Sequence, residues 1–348
     1  MKKYNYRCTI KLIVISICLL SLIGCYHSEP NYQGEIIWDK TFGGEENDQG
    51  YCIIETDDGG YAITGSTESK GNGKADLWVL KLDRDGELQW DKTFGGEEND
   101  QGIGLLQKKE NNHLIVGGWT ESYGIIFADY WLLEIDQTGQ LIWDKTYGGD
   151  DVDKINSLTI DSDNNLLALG ITWSKGAGGK DAWLVKLDPE GNLVWEKVMG
   201  GSQDDELFQI ISDKDYYFLS GYSYSKGAGG KDAWLVKLDY NSDLQWEKFY
   251  GERNSEFAES LVVLNNKNIV FCGQKIRYCP KCSSGGYSYY WVAHLDDELE
   301  IKWEKVFLES ANSQPRKIIA TQSDHLLLVG DTINDSHGKI DIGVVKTK

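Results

Sequence analysis

Carboxylates recur at one place in this sequence. Ten residues on from each tryptophan of a repeated W-[DE]-K triplet stand Asp48, Asp100, Asp153, Asp205 and Glu256, with Ser313 in the sixth position. Five carboxylates around one opening would hold a cation or a positively charged ligand. The plainer expectation is that each accepts N–H groups from its own loop, because a feature present in every repeat usually serves the repeat. Asp76, Asp129, Asp181, Asp232 and Asp341 form a second series, read as bracing for the Ser-Lys-Gly loops at 69–73, 174–178 and 225–229.

A different chemistry is expected where the repetition breaks. The stretch from Lys275 to Tyr290 is longer than its counterparts and carries Arg277, Tyr278, Tyr287, Tyr289 and Tyr290. Arg253 and Arg316 fall close to it in the repeat scheme. Together these residues form a candidate recognition patch, with the tyrosines offering stacking area to a sugar or a peptide. The alternative is a drifted repeat whose loop merely covers its own sheet. Cys279 and Cys282 lie within the same stretch. A zinc site needs a second such pair, and haem attachment needs a histidine where Ser283 stands, so a disulfide is expected. Cys52 and Cys272 fall in strands and read as small core residues. Asp161-Ser-Asp-Asn-Asn165 imitates the start of a calcium loop but lacks its later glycine and glutamate. His113, His294, His325 and His337 have no ligand spacing, and there is no G-x-S-x-G elbow. No catalytic residue, metal or cofactor is assigned.

Repeated elements must position these residues. Trp38, Trp90, Trp143, Trp195, Trp246 and Trp303 are spaced by 52, 53, 52, 51 and 57 residues. A second series precedes them, as in VLKLDRDGELQW (79–90) and LVKLDPEGNLVW (184–195). Eleven of the 13 tryptophans occupy these two repeat positions, so most of them belong to the scaffold. Each unit reads as four short strands divided by turn signals. In the second unit these are Gly104–Lys108, His113–Gly118, Trp131–Asp136 and Leu141–Thr146. Four-stranded units at this period predict an all-β fold, a six-bladed β-propeller. Its blades are expected at about 49–95, 101–148, 154–200, 206–251, 256–308 and 313–348. The last unit ends after its third strand, and an orphan fourth strand with Trp38 precedes the first. Residues 35–43 are therefore expected to complete the last blade and close the ring, which removes exposed sheet edges.

The start of the chain reads as an address. Lys2, Lys3 and Arg7 precede an apolar run that ends Leu22-Ile23-Gly24-Cys25, too short to span a membrane comfortably. Residues 1–24 are expected to be a lipoprotein signal peptide, Cys25 the lipidated residue and 25–34 a tether to a single domain at 35–348. Loss of the leader removes four cationic residues and takes the net charge from −20 to −24. Such a charge argues against binding nucleic acid. Apolar content of 41% argues against disorder. The expected location is a bacterial cell envelope, lipid-anchored outside the cytoplasm.

The D-x-x-G-x-x-x-W runs at Asp83–Trp90, Asp136–Trp143 and Asp188–Trp195 resemble the tryptophan-docking repeats of quinoprotein-like propellers. They resemble less closely the Asp-box of sialidases. The whole unit resembles tandem propeller repeats of exported bacterial lipoproteins. The resemblance covers roughly 35–348 and implies architecture; a propeller alone implies no activity. Quinone-holding relatives use eight blades and an adjacent-cysteine disulfide, and no Cys-Cys pair occurs here. The expectation is a monomeric, membrane-anchored propeller that binds a protein or glycan through one face near blades 5 and 6. The alternatives are a carbohydrate-active hydrolase or lyase, and a structural envelope component.

Overall fold

The computed structural model describes residues 37–124, 126–278, 286–310, 314–321, 325–334 and 339–347. The leader, Cys25, the tether and the pair Cys279 and Cys282 lie outside the described residues, as do the side chains of Tyr278 and Tyr287.

Alternating apolar residues bounded by Gly, Asn and Asp turns give strands throughout, and no helix occurs among the described residues. The first sheet contains β1 (Asp48–Glu55), β2 (Tyr61–Thr67), β3 (Asp76–Leu82) and β4 (Leu88–Phe94). The second contains β5 (Asp100–Gln107), β6 (Leu114–Thr120), β7 (Asp129–Ile135) and β8 (Leu141–Tyr147). In the third are β9 (Asp153–Ile160), β10 (Leu166–Thr172), β11 (Asp181–Leu187) and β12 (Leu193–Met199). The fourth holds β13 (Asp205–Asp213), β14 (Tyr216–Ser223), β15 (Asp232–Asp239) and β16 (Leu244–Tyr250). The fifth holds β17 (Ser255–Val263), β18 (Ile269–Tyr278), β19 (Gly286–Leu295) and β20 (Ile301–Ser310). The sixth has β21 (Gln314–Ala320), β22 (Leu326–Asn334) and β23 (Lys339–Thr347). Within each sheet the strands are hydrogen-bonded in chain order.

First strands begin earlier than their hydrophobic pattern suggests. In the second sheet β5 starts at Asp100, four residues before the expected Gly104. The equivalent residues Asp48, Asp153 and Asp205 pair with Thr67, Thr172 and Ser223 at the end of the second strand, an extension that the apolar pattern does not register. The carboxylate series therefore stands at or beside the first residue of each first strand. Residues 37–44 form no strand, and the sixth sheet has three strands among the described residues.

The chain divides into two compact units, and the division runs through β6, β7 and β8. One unit holds Met1–Val116, Thr120–Ser122 and Leu133–Asp144; the other holds Gly117–Trp119, Tyr123–Leu132 and Lys145–Lys348. In the first unit Trp38 lies edge-on to Tyr61, 5.6 Å between ring centroids, and against Gly86. Trp90 donates its indole N–H to Gln137 O, 3.0 Å, and lies against Gly139. Each tryptophan thus docks on an Asp-x-x-Gly turn. Gly86 and Gly139 have φ of 76° and 79°, a left-handed conformation that favours glycine. Asp83 holds such a turn by accepting from Asp85 N–H and Glu87 N–H, both 2.9 Å.

In the second unit the cores lie between successive sheets. Leu167, Leu184, Leu207, Leu219 and Trp234 pack together, joining the third sheet to the fourth. Phe218, Leu235, Leu261, Phe271 and Trp291 join the fourth to the fifth. Val270, Val292, Ile318 and Leu328 join the fifth to the sixth. Neighbouring first strands are also stitched by side chain to backbone bonds. Asn156 Nδ2 donates to Leu207 O, Leu261 N–H to Gln209 Oε1 and Ile318 N–H to Ser260 Oγ. β9, β13, β17 and β21 therefore run side by side.

Every one of those strands carries a bulge. The pairing skips one residue opposite a glycine: Asn156 by Gly170, Phe208 by Gly221, Glu259 by Gly273 and Arg316 by Gly330. In the first unit Tyr51 is skipped by Gly65. Glycine is needed there because the bulged strand's carbonyl presses in. A Cβ on Gly221 would lie 2.0 Å from Glu206 O, and one on Gly273 would lie 1.6 Å from Phe257 O. A bulge leaves its extra residue outside the ladder and re-aims its side chain.

Candidate functional site

The repeated carboxylates are bound within their own loops. Asp205 Oδ2 accepts from Gly201 N–H at 2.8 Å and Ser225 Oγ at 2.6 Å. Asp100 Oδ2 accepts from Gly96 N–H and Ser122 Oγ, Asp153 Oδ2 from Ser174 Oγ, and Glu256 Oε2 from Glu252 N–H. Asp48 accepts from Gly44 N–H, Ser69 Oγ and Thr67 Oγ1. Burial opposes the charge of Asp48, but these hydrogen bonds outweigh it and hold its pKa below the usual range. Burial prevails at Asp153 and Glu256, whose pKa values are raised. The second series does brace the Ser-Lys-Gly loops. Asp76 Oδ2 accepts from Asn72 N–H, Asp181 Oδ2 from Ala177 N–H and Asp232 Oδ2 from Ala228 N–H. Among the described residues no three His, Cys, Asp or Glu side chains are grouped to hold a metal ion.

Within the candidate patch of arginines and tyrosines, Arg316 and Tyr290 meet at Asp331, and Arg277 meets Tyr289. Arg253 is exposed on the linker between β16 and β17. Arg277 lies over Tyr289, 5.7 Å from the ring centroid, and acts electrostatically on Glu304. Arg316 instead pairs with Asp331 through Nε at 3.0 Å and Nη2 at 2.7 Å. Tyr290 corrects the sequence reading: it is fully buried and donates to Asp331 O at 2.9 Å, a core position unable to stack on a ligand. Strand alternation puts it on the inward face of β19, which adjacency to Tyr289 in a tyrosine-rich stretch concealed.

A different cluster lies on and beside the first strands of the second unit: Glu206, Tyr222, Tyr224, Phe257 and Glu259 break the repeat, whereas Lys180 and Lys231 hold the same place in identical runs at 174–188 and 225–239. The residue after the strand-opening carboxylate is Gln49, Gln101, Lys154, Glu206 or Phe257 in successive units. Glu206 pairs with Lys180, which comes from the loop before β11. It also accepts from Asn156 Nδ2 at 3.1 Å and from the Tyr222 hydroxyl at 3.2 Å. Desolvation and Glu206 raise the Tyr222 pKa, so its phenol remains protonated.

Lys231, one residue before β15, enters the same cluster. Its Nζ lies 3.9 Å from the centroid of Tyr222, 4.8 Å from Phe257 and 5.3 Å from Tyr224. Among the described residues no carboxylate oxygen lies within 4 Å of it. Burial lowers its pKa, and the neighbouring Lys180 adds to that. Glu259, the bulge residue of β17, completes the group. Burial and the charge of Glu206 push its pKa up to about 7, although Arg316 and Lys231 act in the opposite direction. The arrangement combines aromatic faces, one uncommitted ammonium and a hydrogen-bonded carboxylate network. The signal that finds it in sequence is variation at a fixed repeat offset, which composition alone does not display.

No protein-family model matches the chain, and a search of curated proteins finds no match. Solved structures do resemble it. One is a protein of unknown function from Dyadobacter fermentans, with TM-score 0.50, 12% identity, 87% of this chain and 96% of that one covered. Another is the β-propeller domain of the Trilobed protease from Pyrococcus furiosus, with TM-score 0.50, 11% identity and coverage of 88% and 83%. At such identities the likeness concerns architecture alone. With its repeated four-stranded sheets, it establishes that this chain has a β-propeller fold.

Proposed function

We propose that this protein is a lipid-anchored, extracytoplasmic propeller that binds a saccharide on the first strands of its third to fifth blades. The observation that carries the reading is the cluster of Glu206, Tyr222, Tyr224, Phe257 and Glu259 at positions where the repeat is broken, with Lys180 and Lys231 beside it. Aromatic faces beside a fan of donors and acceptors match what a hydroxylated ring offers. The anchor rests on Leu22-Ile23-Gly24-Cys25 after a basic, apolar leader. In this reading residues 35–43 also complete the sixth blade. Trp38 docks on the 83–86 turn as Trp90 of β4 docks on the 136–139 turn. The test is a glycan array probed with the full-length protein in detergent. Binding to a defined saccharide, weakened about tenfold or more by Tyr224→Ala, supports the site. No binding across the array overturns it.

A hydrolase or lyase is the second reading, favoured by Glu259. A carboxyl group with a pKa of about 7, under the influence of a second carboxylate, is suited to donate a proton at neutral pH. The same array distinguishes the readings, because a hydrolase shortens the sugar it binds and Glu259→Gln would stop that loss.

A further inference from the structure

We propose that the saccharide bound here carries a carboxylate, as a hexuronic acid does, and that Lys231 is the residue that reads it. This deepens the proposed function and rests on it. Glu206 is already held by Lys180, Asn156 and Tyr222. Arg316 is held by Asp331. Lys180 lies over Tyr222 as well, at 5.4 Å, but is paired with Glu206; Lys231 faces its rings with no carboxylate oxygen of the described residues within 4 Å.

Rings compensate a desolvated ammonium only in part. The lowered Lys231 pKa agrees with this: burial and Lys180 outweigh Glu206, Asp204 and Glu259. An incoming carboxylate would supply the missing counter-charge through a charge-assisted hydrogen bond, while the sugar ring lies on an aromatic face. Tyr224 is 38% exposed, so that face is accessible. Lys180 and Lys231 both sit at the residue before a third strand, where the first and second sheets have Ala75 and Ala128. The third and fourth sheets share this lysine in identical runs at 174–188 and 225–239, yet of the two only Lys180 has a carboxylate oxygen within 4 Å among the described residues.

The experiment is calorimetric titration of the full-length protein in detergent with three probes: an oligogalacturonate, its methyl ester and acetate. The acid should bind about tenfold or more tightly than its ester, and acetate should bind far more weakly than either. Lys231→Met, which keeps the apolar stem, should reduce binding of the acid to the level of the ester. Lys231→Arg should retain the preference. The melting temperature of each variant confirms that it is folded. Equal affinity for acid and ester, or an acid preference that survives Lys231→Met, overturns the inference while leaving a saccharide site in place. Acetate binding as well as the oligosaccharide also overturns it, because no ring is then being read. Failure of both oligosaccharides, with no neutral glycan bound on the array, removes the proposed function itself.

Discussion

Glu259 shows how one residue can be both conspicuous and hard to read. In sequence it is one of 55 acidic residues with nothing to distinguish it. In the fold it faces Arg316 and Asp331 from the sixth sheet, Glu206 from the fourth and Lys231 from the loop before β15. Its folded pKa of about 7 lies above the ordinary glutamate value of 4.5. The native state therefore holds a proton that the unfolded chain has released between those pH values, and stability falls as pH rises through the window. The slope from this group is at most about 1.4 kcal/mol per pH unit. Glu259→Gln should flatten the fall in melting temperature between about pH 5 and pH 8. An unchanged profile would show that Glu259 titrates normally. Tyr290 teaches the converse lesson, since a tyrosine-rich stretch suggested a stacking surface and its strand turns that side chain inward.

At the scale of elements, the strands and their order were legible because alternation, Asp-x-x-Gly turns and tryptophan spacing all agree. The acid of each W-[DE]-K triplet explains part of that repetition. Asp91, Glu196 and Glu304 accept the indole N–H of Trp78, Trp183 and Trp291 at 3.0, 3.1 and 2.8 Å, and each pairs with a lysine. The bulges were not legible. They depend on a carbonyl of the first strand pressing on a second-strand glycine 15 or 16 residues further on. Gly221→Ala tests this directly, because its Cβ would meet Glu206 O at 2.0 Å. The substitution should destabilise the protein by about 1–3 kcal/mol, read by thermal unfolding. It should also shift Glu206 and Phe208, so saccharide binding should fall with it. An Ala variant as stable as wild type would mean that the bulge can relax without cost.

At the scale of the whole molecule, the repeat phase indicated six blades, and the described strands supply six sheets, the last with three strands. Closure is the part that the described pairings leave as a proposal. The register follows from equivalence with β3 and β4, where Lys81 faces Trp90 and Val79 faces Lys92. Transferred to the sixth sheet, Lys346 should face Trp38 and Val344 should face Lys40. The double variant Lys40→Cys with Val344→Cys should therefore form a disulfide on mild oxidation and raise the melting temperature, with Lys40→Cys and Thr332→Cys as the mismatched control. Efficient crosslinking of the control alone would place residues 35–43 elsewhere.

The bulge residues of β9, β13, β17 and β21 differ in kind. Asn156, Phe208, Glu259 and Arg316 contribute no rung to any ladder, and their differing chemistry shows that the fold accepts an amide, a ring, an acid or a guanidinium there. The glycine opposite stays fixed while the bulge residue varies, although Asn156 also ties β9 to β13 through Leu207 O. A library randomised at these four codons should yield mostly folded proteins with new preferences, which makes the chain a natural display scaffold.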